Sequence, residues 1–145
     1  MSLLTWTTKM SVGNEALDKD NRVFLDIVNR VHAVVRKKAD HGSLIEVFDE
    51  LDTYTEYHFN TEEQLLKMLR FSELDPHRDL HVGLRARTAE FRKKYEHDPD
   101  KFQVLPFFDF LCDWWMRHVL REDMKYSDDM LKARERAAKR NASKT

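Results

Sequence analysis

Residues that interrupt helices are scarce in this sequence. Only 3 Gly and 3 Pro occur among 145 residues, about 4% of the chain against roughly 12% in average proteins. β-Sandwiches and β-barrels need many such residues in their turns, so the composition argues against both classes. The length is enough for one domain with a core and too short for two. The sequence therefore predicts a single domain built from a few long helices.

Apolar side chains recur at three- and four-residue steps, the spacing of one buried helix face. The first predicted helix runs from Asp18, its N-cap, to about Lys38. The ADHGS segment interrupts the pattern, and Ser43 with Glu46 then matches a capping box that opens a second helix of about 27 residues. These segments predict two long neighbouring helices.

The second half of the chain repeats this pattern. Asp75 and Pro76 read as the N-cap and first residue of a third helix. The DPDKFQVLP segment interrupts the chain again, and Phe107 followed by Trp114 or Trp115 marks the buried face of a fourth helix. Short connections make neighbouring helices antiparallel. The predicted fold is all-α, an up-down-up-down antiparallel four-helix bundle.

The bundle is expected to occupy residues 1–132, followed by a basic C-terminal tail at residues 133–145. From Lys132 onward the chain carries six basic residues and one acidic residue. The simplest interpretation is a solvated helix end that the helix dipole favours. Binding of the tail to an anionic surface is the alternative.

Charge and cysteine content exclude several classes of protein. The chain has 25 Lys and Arg against 26 Asp and Glu, so it lacks the basic footprint of a nucleic-acid-binding protein. No apolar run approaches the roughly 18 residues of a membrane span, and the first ten residues lack a signal-peptide core. Cys112 is the only cysteine, which argues against a disulfide framework and favours ordinary packing. We expect a soluble, cytoplasmic protein with no nucleic-acid partner and no membrane span.

The buried faces of three predicted helices also carry metal-ligating side chains. Residues four apart on a helix point in the same direction, so each such pair could hold an ion. Buried imidazoles and carboxylates are costly unless they are paired or coordinated. The candidates are His58 with Glu62, His77 with His81, and His118 with Glu122 or Asp123.

Each of these motifs is weak alone, because such pairs arise by chance in a chain with seven histidines. The alternative is that they are structural histidines, but their joint position on three successive helix faces favours a metal centre. His41 and His97 adjoin loops and are expected at the surface, and His32 has no acidic or histidine companion. Nitrogen and oxygen ligands without thiolate suit iron, manganese or zinc. The chain contains neither the ExxH motif of ferritin-like proteins nor the HExxH motif of zinc proteases.

Four segments, TWTTKMSVGNEALDKDN, YTEYHFNTEEQLL, HRDLH and WWMRHVLREDMKY, resemble the hemerythrin family, and especially its single-domain bacterial members. The resemblance covers roughly residues 4–130. It implies a four-helix bundle that holds two non-haem iron ions and binds dioxygen reversibly. In the fourth helix the family pattern implies Asp123 as a ligand, whereas regular helical geometry favours Glu122 because a five-residue step turns the side chain about 140° away.

The resemblance implies a specific set of metal ligands. His77, His81 and His118 would hold one iron and His58 the other, with Glu62 and Asp123 as bridging carboxylates. The family's first-helix D-x-x-H motif has Asn21 at its histidine position here. The second iron would therefore lose one imidazole and be weakly bound, unless the Asn21 amide or the carboxylate of Asp18 or Asp20 replaces it. Asn21 also reads simply as a polar residue in a first helical turn.

The expected function is non-enzymatic: binding of dioxygen or a similar small ligand for carriage, storage or sensing. One alternative is an enzyme that reacts with peroxide or nitric oxide at the altered metal position. Another is a degenerate bundle that keeps one metal and serves as an interaction module. Five apolar residues are expected to wall the ligand pocket: Phe24, Phe59, Trp114, Trp115 and Val119.

Overall fold

A computed structural model describes residues 4–143, and every regular element in this range is helical. The main elements in chain order are α1 (Glu15–Val35), α2 (Leu44–Met68), α3 (Leu74–His97), α4 (Val104–Asp113) and α5 (Ser127–Ser143). α4 continues directly into a π-helix, Trp114–Glu122, and a 3₁₀ turn, Asp123–Tyr126, before α5 begins. α1 packs against α2 and α4, and α3 packs against α2 and the π-helix. The predicted four-helix bundle is confirmed.

α1 begins earlier than the sequence predicts. The side chain of Asn14 accepts a hydrogen bond from the Leu17 backbone N–H at 3.1 Å and is the true N-cap. Asp18, the predicted cap, lies inside the helix. Its carboxylate accepts hydrogen bonds from the Ser11 hydroxyl and the Val12 backbone N–H at 2.5 and 2.9 Å. Asp18 therefore fastens the N-terminal segment to α1 and does not start the helix.

The starts of α2 and α3 also differ from their predicted caps. The Ser43 backbone is already helical, and its hydroxyl donates to a carbonyl of the preceding turn, so Ser43 and Glu46 form no capping box. α3 begins at Leu74, which places Asp75 and Pro76 inside its first turn. Both residue pairs lie close to the observed start of their helix, but neither pair caps it.

The core that holds the bundle together is rich in aromatic rings. Phe48 and Phe107 stack with 4.7 Å between ring centroids, and Phe24 lies 4.7 Å from Trp114. Trp114 and Trp115 are both buried, so the choice that the spacing left open is settled in favour of both. Each buried aromatic side chain contributes roughly 1.5–3 kcal/mol to folding. Half-buried Cys112 packs against this core.

The last helix extends the fourth helix of the bundle beyond the core. Met130 is its last buried residue among those whose burial is described, and the side chains of residues 132–142 are exposed or half-buried. Lys144 and Thr145, the end of the predicted basic tail, lie outside the described residues. No helix within residues 4–143 is both long and apolar enough to cross a membrane.

Gly13 joins the N-terminal segment to α1 with a positive φ of 82°. A Cβ at this position would lie 3.0 Å from the Leu131 side chain and 3.2 Å from the Ser127 carbonyl oxygen. We expect Gly13→Ala to lower the free energy of unfolding by about 1–2 kcal/mol, because alanine is strained at positive φ and crowds α5. Urea denaturation checks this value. Gly42→Ala is the matched control, since a Cβ there meets no atom within 4 Å; equal losses in the two variants would contradict the prediction.

Candidate metal centre

The six ligand residues that the sequence predicts meet in the middle of the bundle. α2 supplies two, α3 two, and the fourth helix two, and none exposes more than 5% of its surface. The structure brings together His58, Glu62, His77, His81, His118 and Asp123. His32 instead packs on Phe108, and His97 is exposed.

His41 is half-buried, which the expected surface position did not anticipate. Its Nε2 lies 3.3 Å from the Phe102 carbonyl oxygen, and its own carbonyl accepts a hydrogen bond from the Tyr95 hydroxyl at 3.0 Å. These contacts arise because the turn before α2 folds against the turn after α3.

One group of four side chains offers ligand atoms that all lie within 4.8 Å of one another: Glu62, His77, His81 and His118. The Nε2 atoms of His81 and His118 are 3.1 Å apart, and His81 Nε2 lies 3.0 Å from Glu62 Oε1. His77 Nε2 contacts the same oxygen. Asp123 Oδ1 lies 3.1 Å from Nε2 of both His77 and His118. Three imidazoles and the Glu62 carboxylate therefore converge, and the Asp123 carboxylate lies beside two of the imidazoles.

A second group shares the Glu62 carboxylate with the first. His58, Glu62 and Asp123 offer ligand atoms within 4.8 Å of one another. His58 Nε2 lies 3.4 Å from Glu62 Oε2, whereas Glu62 Oε1 faces the first group. The two oxygens of Glu62 thus face two adjacent positions. This arrangement suits two ions with a carboxylate between them.

The π-helix explains why Asp123 joins the centre and Glu122 does not. The backbone N–H of Asp123 bonds the carbonyl of His118, five residues earlier. In a π-helix such bonds place residues five apart one above the other. Asp123 is fully buried, whereas Glu122 pairs with Lys125 at 2.9 Å near the surface. The preference for Glu122 from regular α-helical spacing is therefore wrong.

Further polar side chains hold the outer side of the ligands. Asp20 Oδ2 lies 3.0 Å from His58 Nδ1, and Glu63 Oε2 lies 3.0 Å from His81 Nδ1. The Tyr126 hydroxyl donates to Glu62 Oε2 at 2.8 Å. Carboxylates on Nδ1 orient each imidazole so that Nε2 faces inward. These roles were not predicted from the sequence. A signal for Glu63 was available, because this acidic residue directly follows the predicted ligand Glu62.

The electrostatics of the centre fit a bound cation. Burial opposes protonation of His58, but its contacts with Asp20 and Glu62 raise its pKa to about 9. Burial lowers the pKa of His118 to about 3. Burial, followed by the charge of Glu62, raises the pKa of Asp123 to about 7. Protons therefore partly neutralise the carboxylates, and a metal ion would replace them.

Most of this chain matches a known protein family. The family model for the hemerythrin HHE cation binding domain matches residues 12–128. This chain belongs to the hemerythrin family. It is 27% identical over 130 residues to a bacteriohemerythrin of Stenotrophomonas maltophilia, covering 90% of this chain and 83% of the relative.

A second relative and a solved structure agree with this assignment. A bacteriohemerythrin of Clostridium acetobutylicum is 24% identical, with 87% of this chain and 100% of the relative covered. A crystal structure of a hemerythrin point mutant superposes with a TM-score of 0.78 at 23% identity, covering 90% of this chain and 99% of that one. This structure shares the fold of the present chain.

Asn21 is fully buried beside the second group of this hemerythrin domain. Its Oδ1 accepts a hydrogen bond from the Tyr54 hydroxyl at 3.1 Å, and the Tyr54 ring stacks on His58 with 4.7 Å between centroids. Burial, then the charges of Asp123 and Glu62, raise the pKa of Tyr54 well above its ordinary value. The phenol therefore stays protonated and donates to the amide.

The two aspartates considered as replacement ligands face other partners. Asp18 binds the N-terminal segment, and Asp20 lies on the outer nitrogen of His58. Neither belongs to the groups of converging ligand atoms among the described residues. Within residues 4–143 the second group has one imidazole, and the first has three.

The donor set itself indicates a cation. Both carboxylate oxygens of Asp123 are buried without a hydrogen-bond partner among the described residues, and the contacts of Oδ1 are to the inward-facing nitrogens of His77 and His118. Such groups carry their full desolvation cost unless something binds them. A divalent ion between the imidazoles and carboxylates would satisfy the oxygens. Iron, manganese and zinc suit these nitrogen and oxygen ligands.

Proposed function

We propose that this chain holds two non-haem iron ions and binds dioxygen or a similar small ligand for carriage, storage or sensing, without catalysing a reaction. The observation that carries the proposal is the buried centre of four imidazoles and two carboxylates, of which Glu62 belongs to both ligand groups. The proposed ligands are His77, His81 and His118 for one iron, His58 for the other, and Glu62 and Asp123 between them. With one imidazole, the second iron is the more weakly bound.

The residues of the chain have distinct parts in this function. When bound, two ferrous ions supply electrons and an open coordination position for the small ligand. Asp20 and Glu63 hold the imidazoles of His58 and His81 in place, and Tyr126 holds Glu62. The five predicted wall residues are all buried and exclude water from the centre: Phe24, Phe59, Trp114, Trp115 and Val119.

A surface cavity offers a route toward the second group. It has a volume of about 370 Å³, lies between α1 and α2, and is lined in part by Asp20, Tyr54 and His58. This size admits a small molecule. We propose that the ligand enters on this side of the bundle.

Metal analysis and optical absorption test the proposal. We expect purified protein loaded with ferrous iron to bind two ions per chain and to develop visible charge-transfer absorption in air. A chelator is expected to remove one ion before the other. A colourless solution at full iron loading would contradict ligand binding at the metals. One ion per chain would favour the degenerate bundle that serves as an interaction module, and zinc in place of iron would contradict the di-iron proposal.

The single imidazole of the second group favours one alternative, an enzyme that reacts with peroxide or nitric oxide. Turnover of peroxide by the natural chain, lost in Asn21→His, would support it.

For either function we assign the activity to residues 1–132 and treat residues 133–145 as a solvated basic tail. We propose a cytoplasmic location.

A further inference from the structure

The Asn21 amide is an unexplained polar group beside the second metal position. It lies on the first turns of α1, fully buried, and its Nδ2 has no hydrogen-bond partner among the described residues. An unpartnered buried donor carries its full desolvation cost, and native proteins rarely keep one without a reason. The amide therefore has a donor to offer to a molecule that enters the centre.

The surroundings of this amide fix its orientation. The Tyr54 hydroxyl donates to Oδ1, so the NH₂ group faces away from that hydroxyl. Tyr54 is itself held by stacking on His58, with 14° between the ring planes. The phenol of Tyr54 therefore links the amide to the imidazole of the ligand His58. Asn21 Nδ2 is thus a buried free donor on an amide that is connected to His58 of the second group through Tyr54.

We propose that Asn21 Nδ2 donates a hydrogen bond to a small anionic ligand, or to the negatively charged end of a polar one, bound at the second metal position. Asn21 then serves ligand selection and is not itself a metal ligand. This inference rests on the proposed function, because it needs an ion with an open position next to His58. What the inference adds is the chemical class of the ligand. Its hydrogen-bond acceptor end either carries a negative charge or gains one at the metal.

Azide, a small anion with terminal acceptor nitrogens, is the probe for this proposal. Iron-loaded, air-oxidised full-length protein is titrated with azide while charge-transfer absorption is followed. Asn21→Leu removes the donor and keeps the branched shape and the number of side-chain heavy atoms, although leucine is the bulkier residue. We expect its dissociation constant for azide to rise about tenfold to a hundredfold, the range for a hydrogen bond to a charged acceptor, with iron content unchanged. Asn60→Leu, at an exposed asparagine of α2, is the control and should match the natural chain.

Tyr54→Phe gives a second measurement that does not depend on the first variant. Without its clamp the amide can rotate, so we expect azide to bind about two- to fivefold more weakly. Because both residues act through one amide, Asn21→Leu combined with Tyr54→Phe should bind azide no more weakly than Asn21→Leu alone. Thermal unfolding of each iron-free variant verifies that the bundle is intact.

The possible outcomes distinguish this inference from the proposed function on which it rests. If azide changes the absorption of no variant, including the natural chain, the proposed open iron position is wrong and this inference falls with it. If azide binds the natural chain and Asn21→Leu equally well, only the donor role is wrong. If Asn21→Leu loses iron, Asn21 is a metal ligand through its oxygen and the donor role is overturned.

Discussion

Replacing Glu62 by glutamine is expected to remove most of the iron from the protein. The two oxygens of Glu62 face different groups: Oε1 lies against His77 and His81, and Oε2 lies 3.4 Å from His58. The side chain is fully buried, and Tyr126 fixes its second oxygen. Glutamine keeps the size but presents an NH₂ group to a cation on one side and loses the negative charge. Both ions should therefore be affected by this single change.

The expected loss is more than the tenfold to hundredfold that follows removal of an outer partner of a metal ligand. Iron per chain after desalting, and competition with a chelator, measure it. Glu63→Gln supplies the comparison, because Glu63 meets the metal ligands only at the outer nitrogen of His81 and otherwise pairs with Arg78 at the surface, so its loss should fall within that range. Glu56→Gln, at an exposed position of α2, should have no effect. The prediction fails if Glu62→Gln retains as much iron as Glu56→Gln.

The sequence was sufficient to predict which face of each helix is buried. Spacing alone placed His58 with Glu62 and His77 with His81 on buried faces, because residues four apart in an α-helix share a direction. Scarcity of Gly and Pro predicted the long helices that carry these faces. These features are local to one helix at a time, so a single sequence contains them.

The position of Asp123 could not be predicted from helical spacing. The fourth helix is wound as a π-helix around His118, which brings a residue five positions later onto the same face. The regular 3.6-residue period used to predict the helix does not contain this winding. Resemblance to a family pointed to Asp123, whereas regular geometry pointed to Glu122.

Contacts between helices were also beyond the sequence. Asp20 and Asn21 are neighbours on α1 and both contact α2. Asp20 contacts His58, whereas Asn21 contacts Tyr54, one helical turn earlier. Which side chains meet depends on how far one helix slides and rotates against its neighbour. The true cap at Asn14 was missed for a simpler reason: both Asn14 and Asp18 are good N-caps, and propensity does not choose between them.

Histidine at position 21 is expected to strengthen the second metal position. Asn21 lies beside the only imidazole of that group, at the end of the centre where the described residues offer a single nitrogen ligand. An added imidazole would provide a second nitrogen ligand in place of a neutral amide. We expect Asn21→His to bind the second iron more tightly, by a factor on the order of ten to a hundred, and to lengthen the lifetime of the oxygenated form.

Space is the main obstacle, since Asn21 is fully buried and histidine is larger. The Tyr54 hydroxyl occupies the place next to the amide, so Asn21→His is best made with and without Tyr54→Phe, which removes that oxygen. Chelator competition gives the affinity of the second ion, and the decay of visible absorption in air gives the lifetime. Asn60→His, which adds an exposed histidine on α2, controls for iron bound elsewhere on the protein.

The result bears directly on why asparagine is tolerated here. If Asn21→His binds the second iron tightly both with and without Tyr54→Phe, Asn21 alone keeps the iron affinity of the second position low in the natural chain. In that case its amide contacts the bound ligand and not the metal. If iron affinity and lifetime stay unchanged in both forms, other groups already complete the second position. An increase seen only together with Tyr54→Phe would mean that the phenol, by filling the space, decides how many nitrogen ligands the second ion receives.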